Sequence, residues 1–237
     1  MIALLQAELL KLRTTRTFAV IVGTAALLSV GLVAIAASMS VHDDAHALFT
    51  NSSVTYFIVL LGAIGMTGEW RHRTITGTVL AAPDRARLLA AKALSYSAAG
   101  VVLSVLVTVA TMVVGTLILS GRGEETLGAG GLFDVLWRNV AVAALLGPVG
   151  VCVGALVRNQ VVTVIGLIVV AAALEPPLLN AVPAVGRFGP LFGAPDAVLG
   201  GAEAGLLAPG VALAVLVAWL AVAFLAAAAR LRRRDLV

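Results

Sequence analysis

The sequence contains a charged segment between two strongly apolar runs, Gly68-Glu69-Trp70-Arg71-His72-Arg73-Thr74-Ile75-Thr76-Gly77-Thr78, and Pro83-Asp84-Arg85-Ala86-Arg87 and Lys92 follow it. Five cations and two acids give residues 69–93 a net charge of +3. A few turn residues are enough to join two neighbouring helices, so this longer, basic and helix-prone segment needs another explanation. We interpret it as a docking surface for a partner outside the membrane. A set of basic anchors attracted to anionic lipid is the alternative.

The composition excludes a soluble protein. Of the 237 residues, 61% are hydrophobic and only 12% are charged, whereas soluble domains are about half apolar and about a quarter charged. Aromatic residues are few and the arginines cluster at the ends of apolar runs, which is typical of membrane topology and argues against a nucleic-acid partner. The single cysteine, Cys152, lies in an apolar run, so an internal disulfide framework is excluded.

The apolar runs predict an all-α integral membrane protein, with one transmembrane domain over residues 1–237. A bilayer core of about 30 Å needs about 20 apolar residues in a helix. The second run is short and needs the polar residues 48–53 to complete it. We predict six spans, at residues 17–38, 48–68, 94–119, 135–157, 161–178 and 208–229.

The distribution of Lys and Arg predicts the orientation. If the N-terminus is cytoplasmic, all but three of the 16 basic residues face the cytoplasm, the exceptions being Arg122, Arg138 and Arg187. Six spans then place both termini on the cytoplasmic side of a bacterial plasma membrane. A cleavable signal peptide ending near Ala34-Ile35-Ala36 is the alternative for the first span, but its apolar run exceeds the usual length of about 7–15 residues.

Residues 2–13 predict an amphipathic helix that lies in the cytoplasmic interface. The residues Glu8, Lys11 and Arg13 project away from its apolar face. A basic flank that only fixes orientation is the alternative. The apolar face carries Ile2, Leu5, Leu9 and Leu12.

The cytoplasmic segment 69–93 predicts a helix of its own. Pro83 suits a first helical turn, and Asp84 complements the positive end of the helix dipole. No helix breaker separates Arg85 from the third span, so we expect the helix to continue into it.

The fifth span meets Glu175-Pro176-Pro177 early, and a stretch rich in Pro and Gly follows up to Pro195. This pattern predicts re-entrant helical pieces between spans five and six, which are tolerated only against protein or a wet cavity. Glu175 is a candidate functional residue because charge at membrane depth is expensive; an interfacial carboxylate at a helix end is the alternative. In the fourth span, Gly147, Gly150 and Gly154 favour close helix packing.

The sequence lacks the common motifs for ATP binding, for a catalytic zinc site and for a serine hydrolase. The sequence has no Gly-x-x-x-x-Gly-Lys-[Ser/Thr] loop, no His-Glu-x-x-His helix and no Gly-x-Ser-x-Gly elbow. His42 and His46 lie across the predicted membrane from His72, so these three residues cannot form one metal site. We expect no catalytic residues, cofactor or metal in this chain.

The layout resembles the ABC-2-type permease family, the membrane subunits of ABC exporters. Six spans, an N-terminal amphipathic helix and a basic first cytoplasmic loop carry the resemblance over the whole chain, and motif-level similarity is confined to about the first hundred residues. The matching residues are Glu8-Leu9-Leu10-Lys11-Leu12-Arg13, Gly68 to Thr78 as quoted above, Pro83, Arg85, Leu88-Leu89 and Lys92.

The resemblance implies a permease subunit for export of a drug-like, lipid or peptide substrate. It implies an ABC ATPase subunit that binds ATP and Mg, a second permease chain, identical or a sister, and contact with membrane lipid. A non-transporting anchor or sensor subunit is the alternative, and a membrane-embedded enzyme is disfavoured because convergent polar residues are missing from the spans. The implied ATPase-coupling residues are Glu8, Lys11, Arg13, Glu69, Arg71, Arg73, Thr74, Arg85 and Arg87. The polar side chains in the outer half of the second span are expected to line the translocation path of such a subunit, and an extracellular loop at residues 48–53 is the alternative. The candidate path residues are Asn51, Ser53, Thr55, Tyr56 and Glu175.

Overall fold

The computed structural model describes residues 2–39, 48–50, 52–72, 74, 84–201 and 205–233, with no side-chain detail at residues 2, 3, 52, 53 and 233. Every regular element in these ranges is helical, which confirms the all-α class. The helices are α1 Ile2–Thr14, α2 Arg16–Ser38, α3 Ser52–Arg71, α4 Arg85–Gly121, α5 Ala129–Val157, α6 Gln160–Ile168, α7 Glu175–Ala181, α8 Pro183–Gly186, α9 Gly193–Leu199 and α10 Pro209–Arg233. A π-helical stretch, Val169–Leu174, joins α6 to α7.

Five helices among the described residues are long and apolar enough to cross a membrane: α2, α4, α5, the continuous α6–α7 unit and α10. The predicted second span, 48–68, corresponds largely to α3, which is not one of the five. Its 20 residues begin with Ser52-Ser53 and end with charged residues, and these polar ends shorten its apolar part. Five of the six predicted spans are therefore supported, and the second stays a prediction.

Glycines bring α3 and α5 into close contact at the centre of the bundle. A Cβ atom on Gly62 would overlap the backbone carbonyl of Gly147, and one on Gly150 would overlap the carbonyl of Val59. The two backbones approach this closely only because these side chains are absent. The close packing expected from the glycines of the fourth span is confirmed at Gly147 and Gly150.

The helix α4 is the longest in the described chain, at 37 residues. The Asp84 carboxylate accepts hydrogen bonds from the backbone amides of Ala86 at 3.1 Å and Arg87 at 3.2 Å, the usual way in which an aspartate caps a helix N-terminus. From there α4 continues without interruption to Gly121. Residues 85–93 and the third span thus belong to one continuous helix.

The buried side of α1 differs from the side that the apolar spacing predicts. Glu8 and Leu12 are buried, whereas Leu9 and Leu10 are exposed. The expectation that Glu8 projects away from the packed face is wrong, because ion pairs with Lys11 of α1 and Lys92 of α4 hold its carboxylate in the bundle. Placement of α1 in the membrane interface stays a prediction.

Candidate functional site: a buried ring of four charges

Four charged side chains from three helices form a closed ring where α1 meets the end of α3 and the start of α4. Lys92 Nζ lies 2.7 Å from both Glu8 Oε2 and Glu69 Oε1. Lys11 Nζ lies 2.9 Å from both Glu8 Oε1 and Glu69 Oε1. Each lysine therefore contacts both glutamates. We call Glu8, Lys11, Glu69 and Lys92 the charge ring.

Most of the charge ring is shielded from solvent. Lys92 is 1% exposed and Glu8 is 4% exposed, whereas the Lys11 side chain is 47% exposed. Removing an ion from water costs several kcal/mol, and only close pairing with further hydrogen bonds offsets that cost. The ring meets this need because its two cations and two anions alternate and sum to zero charge.

The local sequence explains how each ring member reaches its place. Lys92 follows a buried stretch of α4 and is flanked by Ala91 and Ala93, which leave room for a long side chain. Glu69 lies near the C-terminus of α3, where the helix dipole disfavours an anion. The two lysines compensate that unfavourable position, so Glu69 is stable there only when the ring is closed.

The pairing also sets the ionisation of the two ring members on α1. Burial opposes ionisation of Glu8, but Lys92 and Lys11 outweigh it and hold the pKa of Glu8 below its ordinary value. Burial likewise opposes the charge on Lys11, but hydrogen bonds and attraction from Glu8 and Glu69 outweigh it and raise the pKa of Lys11. Both groups are therefore charged at neutral pH.

One oxygen of the ring is unused. Glu69 Oε2 is buried and has no hydrogen-bond partner among the described residues, since both lysines contact Oε1. The indole N–H of the neighbouring Trp70 is also buried without an acceptor in the described chain. A buried unsatisfied polar group typically costs about 1–3 kcal/mol of folding free energy. The unpaired groups of Glu69 and Trp70 therefore offset part of the stabilisation that the ion pairs of the ring provide.

Two arginines tie the last helix to the same end of the bundle. Arg158 Nη2 donates to the Arg230 carbonyl at 3.3 Å, and the Arg158 guanidinium lies 4.6 Å from the centroid of the Trp70 ring. Arg85 Nη1 donates to the Leu231 carbonyl at 2.6 Å. Cations interact favourably with the free carbonyls at a helix C-terminus. Arg85, a predicted coupling residue, therefore binds the C-terminal end of α10 in the same chain.

The other predicted coupling residues surround the ring. Arg13, Arg71 and Arg87 are exposed; Arg71 Nη1 donates to Gln160 Oε1 at 3.4 Å. Arg87 pairs with Asp84 at 3.1 Å. These side chains present positive charge outward around the ring.

Two further coupling residues lie in the segment after α3. The Thr74 backbone amide donates to the Glu69 carbonyl at 3.0 Å, which keeps Thr74 beside the ring. Arg73 lies outside the described residues. The Glu69 carboxylate pairs with Lys11 and Lys92.

Thr55 and Tyr56, two of the predicted path residues, lie toward the opposite end of α3. Asn51 and the side chain of Ser53 lie outside the described part of the chain. Thr55 is buried, and Tyr56 lines a cavity of about 180 Å³ between α3 and the α6–α7 unit.

Glu175 is buried and binds backbone amides. Its carboxylate accepts from the Leu191 amide at 3.0 and 3.1 Å and from the Phe192 amide at 2.5 Å. These amides directly precede α9, and a Cβ on Gly189 would overlap the same carboxylate. We call this arrangement the Glu175 cap. It joins the α6–α7 unit to the segment that leads into α9.

Lys92 is the ring residue that the sequence reasoning left out of the predicted coupling set. The available signal was a lone lysine inside the run Leu88-Leu89-Ala90-Ala91-Lys92-Ala93-Leu94. A charge with apolar neighbours on every side of a helix requires a buried partner. Glu8 and Glu69 are the acids among otherwise basic neighbours that supply it.

Comparison with known families agrees with this geometry. The family model described as ABC-2 family transporter protein matches residues 4–173 of the sequence. This range contains all four residues of the charge ring. The chain is a multi-pass membrane protein, and it belongs to the ABC-2 transporter family, which confirms the resemblance drawn from the sequence. Membership implies partnership with an ABC ATPase subunit. No curated protein matches the chain.

Proposed function

We propose that this chain is the permease subunit of a bacterial ABC exporter, with both termini in the cytoplasm. It forms the translocation path for a drug-like, lipid or peptide substrate. A separate ABC ATPase subunit binds ATP and Mg and supplies the energy. Family membership supports the class, and the charge ring is the observation that carries the coupling role.

The charge ring supports a coupling role because it links α1 to two long helices of the bundle, α3 and α4. Through Glu8 and Lys11, α1 contacts Glu69 of α3 and Lys92 of α4. Attraction between charges is stronger in a poorly solvated site than in water. A push by the ATPase on α1 or on the exposed arginines therefore moves α3 and α4 together.

The proposed path lies between two permease chains, identical or sisters. Thr55, Tyr56 and Glu175, together with Asn51 and Ser53, are assigned to it. The cavity beside Tyr56 supports this assignment, because it follows the contact between α3 and the α6–α7 unit. The Glu175 cap lies at the same level, since Leu191 both lines that cavity and donates to Glu175.

Coexpression with an ABC ATPase tests the proposal. We expect the two chains to purify together and the isolated permease to hydrolyse no ATP. Reversing Arg71 and Arg73 to glutamate is expected to weaken assembly at least about tenfold, since charge complementarity orients such contacts. Reversal of Arg122, a basic residue beyond the far end of α4, is the matched control and is expected to change little. Hydrolysis by the pure permease, or equal assembly of both variants, contradicts the proposal.

A further inference from the structure

A second feature adjoins the charge ring: a cavity of about 510 Å³ bounded by α1, α2, α3, α4 and the start of α6. This volume lies within the usual range for small-molecule sites, about 300–1,000 Å³. Its polar lining, at one end, contains the four residues of the charge ring together with Arg71, Thr17 and Gln160. We call it the amphipathic cavity, because its other end is apolar.

The polar end has unused hydrogen-bond donors. Lys11 has three N–H groups, of which two donate to Glu8 and Glu69. Arg71 is exposed and makes a long hydrogen bond to Gln160. Since the two glutamates are already paired with lysines, the net charge of this end is positive.

The apolar end extends along the helices away from the ring. Phe18 and Ile21 of α2 and Leu61 and Ile64 of α3 line it. Leu61 precedes Glu69 by eight residues, which is about 12 Å along a helix at about 1.5 Å per residue. The cavity therefore changes from basic to apolar along the direction in which a lipid changes from head group to acyl chain.

We propose that the amphipathic cavity binds one anionic phospholipid of the cytoplasmic leaflet. Its phosphate contacts Lys11 and Arg71, and an acyl chain lies between Phe18 and Ile64. Basic pockets between membrane helices on the cytoplasmic side suit such head groups. An acidic side chain of a protein partner would fill only the polar end. The inference rests on the proposed cytoplasmic placement of this end of the molecule.

Native mass spectrometry of the purified chain tests the proposal with phosphatidylglycerol and phosphatidylcholine of equal chain length. We expect retention of one phosphatidylglycerol molecule and poor retention of phosphatidylcholine. Arg71→Gln removes a charged donor, and loss of one charge-assisted hydrogen bond corresponds to at least about tenfold weaker binding. Arg87→Gln is the matched control, because Arg87 is exposed but does not line the cavity.

A second pair of variants tests the apolar end without changing charge. Ile64→Trp fills the space beside Phe18 and is expected to reduce phosphatidylglycerol binding. Val20→Trp adds the same bulk at an exposed position of α2 and is expected to change nothing. Circular dichroism and gel filtration establish that each variant is folded before it is compared.

Several outcomes overturn the proposal. They are equal retention of the two lipids, equal effects of Arg71→Gln and Arg87→Gln, and equal effects of the two tryptophan variants. Displacement by soluble glycerol phosphate at the same concentration as the lipid would identify a free anion as the ligand. The lipid-binding assay needs no ATPase. A chain that binds phosphatidylglycerol but does not assemble with the ATPase would therefore support the lipid site and contradict the proposed function.

Discussion

The charge ring and the Glu175 cap both bury a glutamate, and they stabilise it in different ways. Glu69 is paired with the side chains of Lys11 and Lys92, which belong to two other helices. Glu175 accepts from backbone amides of a nearby turn. Side-chain pairs reach across the bundle and lose their compensation when one member is removed, whereas backbone amides keep their place. We infer that the ring links moving parts and that the cap fixes the shape of a local turn.

The largest expected effect is that of Lys92→Met. It leaves Glu8 and Glu69 with only Lys11, and removing one partner of a buried ion pair typically costs about 3–5 kcal/mol. Thermal unfolding of the detergent-solubilised chain measures the loss. The control Arg87→Met removes a cation from an exposed pair, where about 0–1 kcal/mol is typical. Equal shifts of the unfolding midpoint in the two variants would mean that Lys92 contributes no more to stability than a cation in a surface ion pair.

A smaller effect is expected from Glu175→Gln. The side chain keeps its size but loses its charge and one acceptor oxygen, so we expect a loss of about 1–3 kcal/mol. Hydrogen exchange should become faster in residues 189–199 and stay unchanged in α1. Gly189→Ala should affect the same residues, because the added methyl group overlaps the carboxylate. Faster exchange in α1 as well would show that the cap is coupled to the ring.

Local sequence signals predicted the elements better than they predicted the contacts between them. A helix beginning near Asp84 follows from the negative charge of that residue, and close packing of α5 follows from its glycines, although the glycines do not name α3 as the partner. Both are short-range patterns with one structural solution. The second span stays a prediction, because the described part of α3 is not among the helices long and apolar enough to cross a membrane.

The ring could not be read from the sequence because its members are far apart in the chain. Lys92 and Glu8 are separated by 84 positions, and Lys11 and Glu69 by 58. Apolar spacing on α1 placed Leu12 on the buried side but missed Glu8, because such a pattern contains no information on a specific ionic partner. Glu175 was recognised by its charge at membrane depth, but its backbone partners carry no residue-type signal.

The central claim is that the charge ring makes α1 and α4 move as one body during ATP turnover. Spin labels on cysteines at Leu10 and Leu94, two exposed positions, report the distance between these helices in a Cys152→Ala background. Pulsed electron resonance on the complex with its ATPase compares samples with and without ATP. We expect one narrow distance that ATP leaves unchanged, and a broad, ATP-sensitive distribution after Lys92→Met. A distance that changes with ATP while the ring is intact, or that stays narrow after Lys92→Met, would contradict the account.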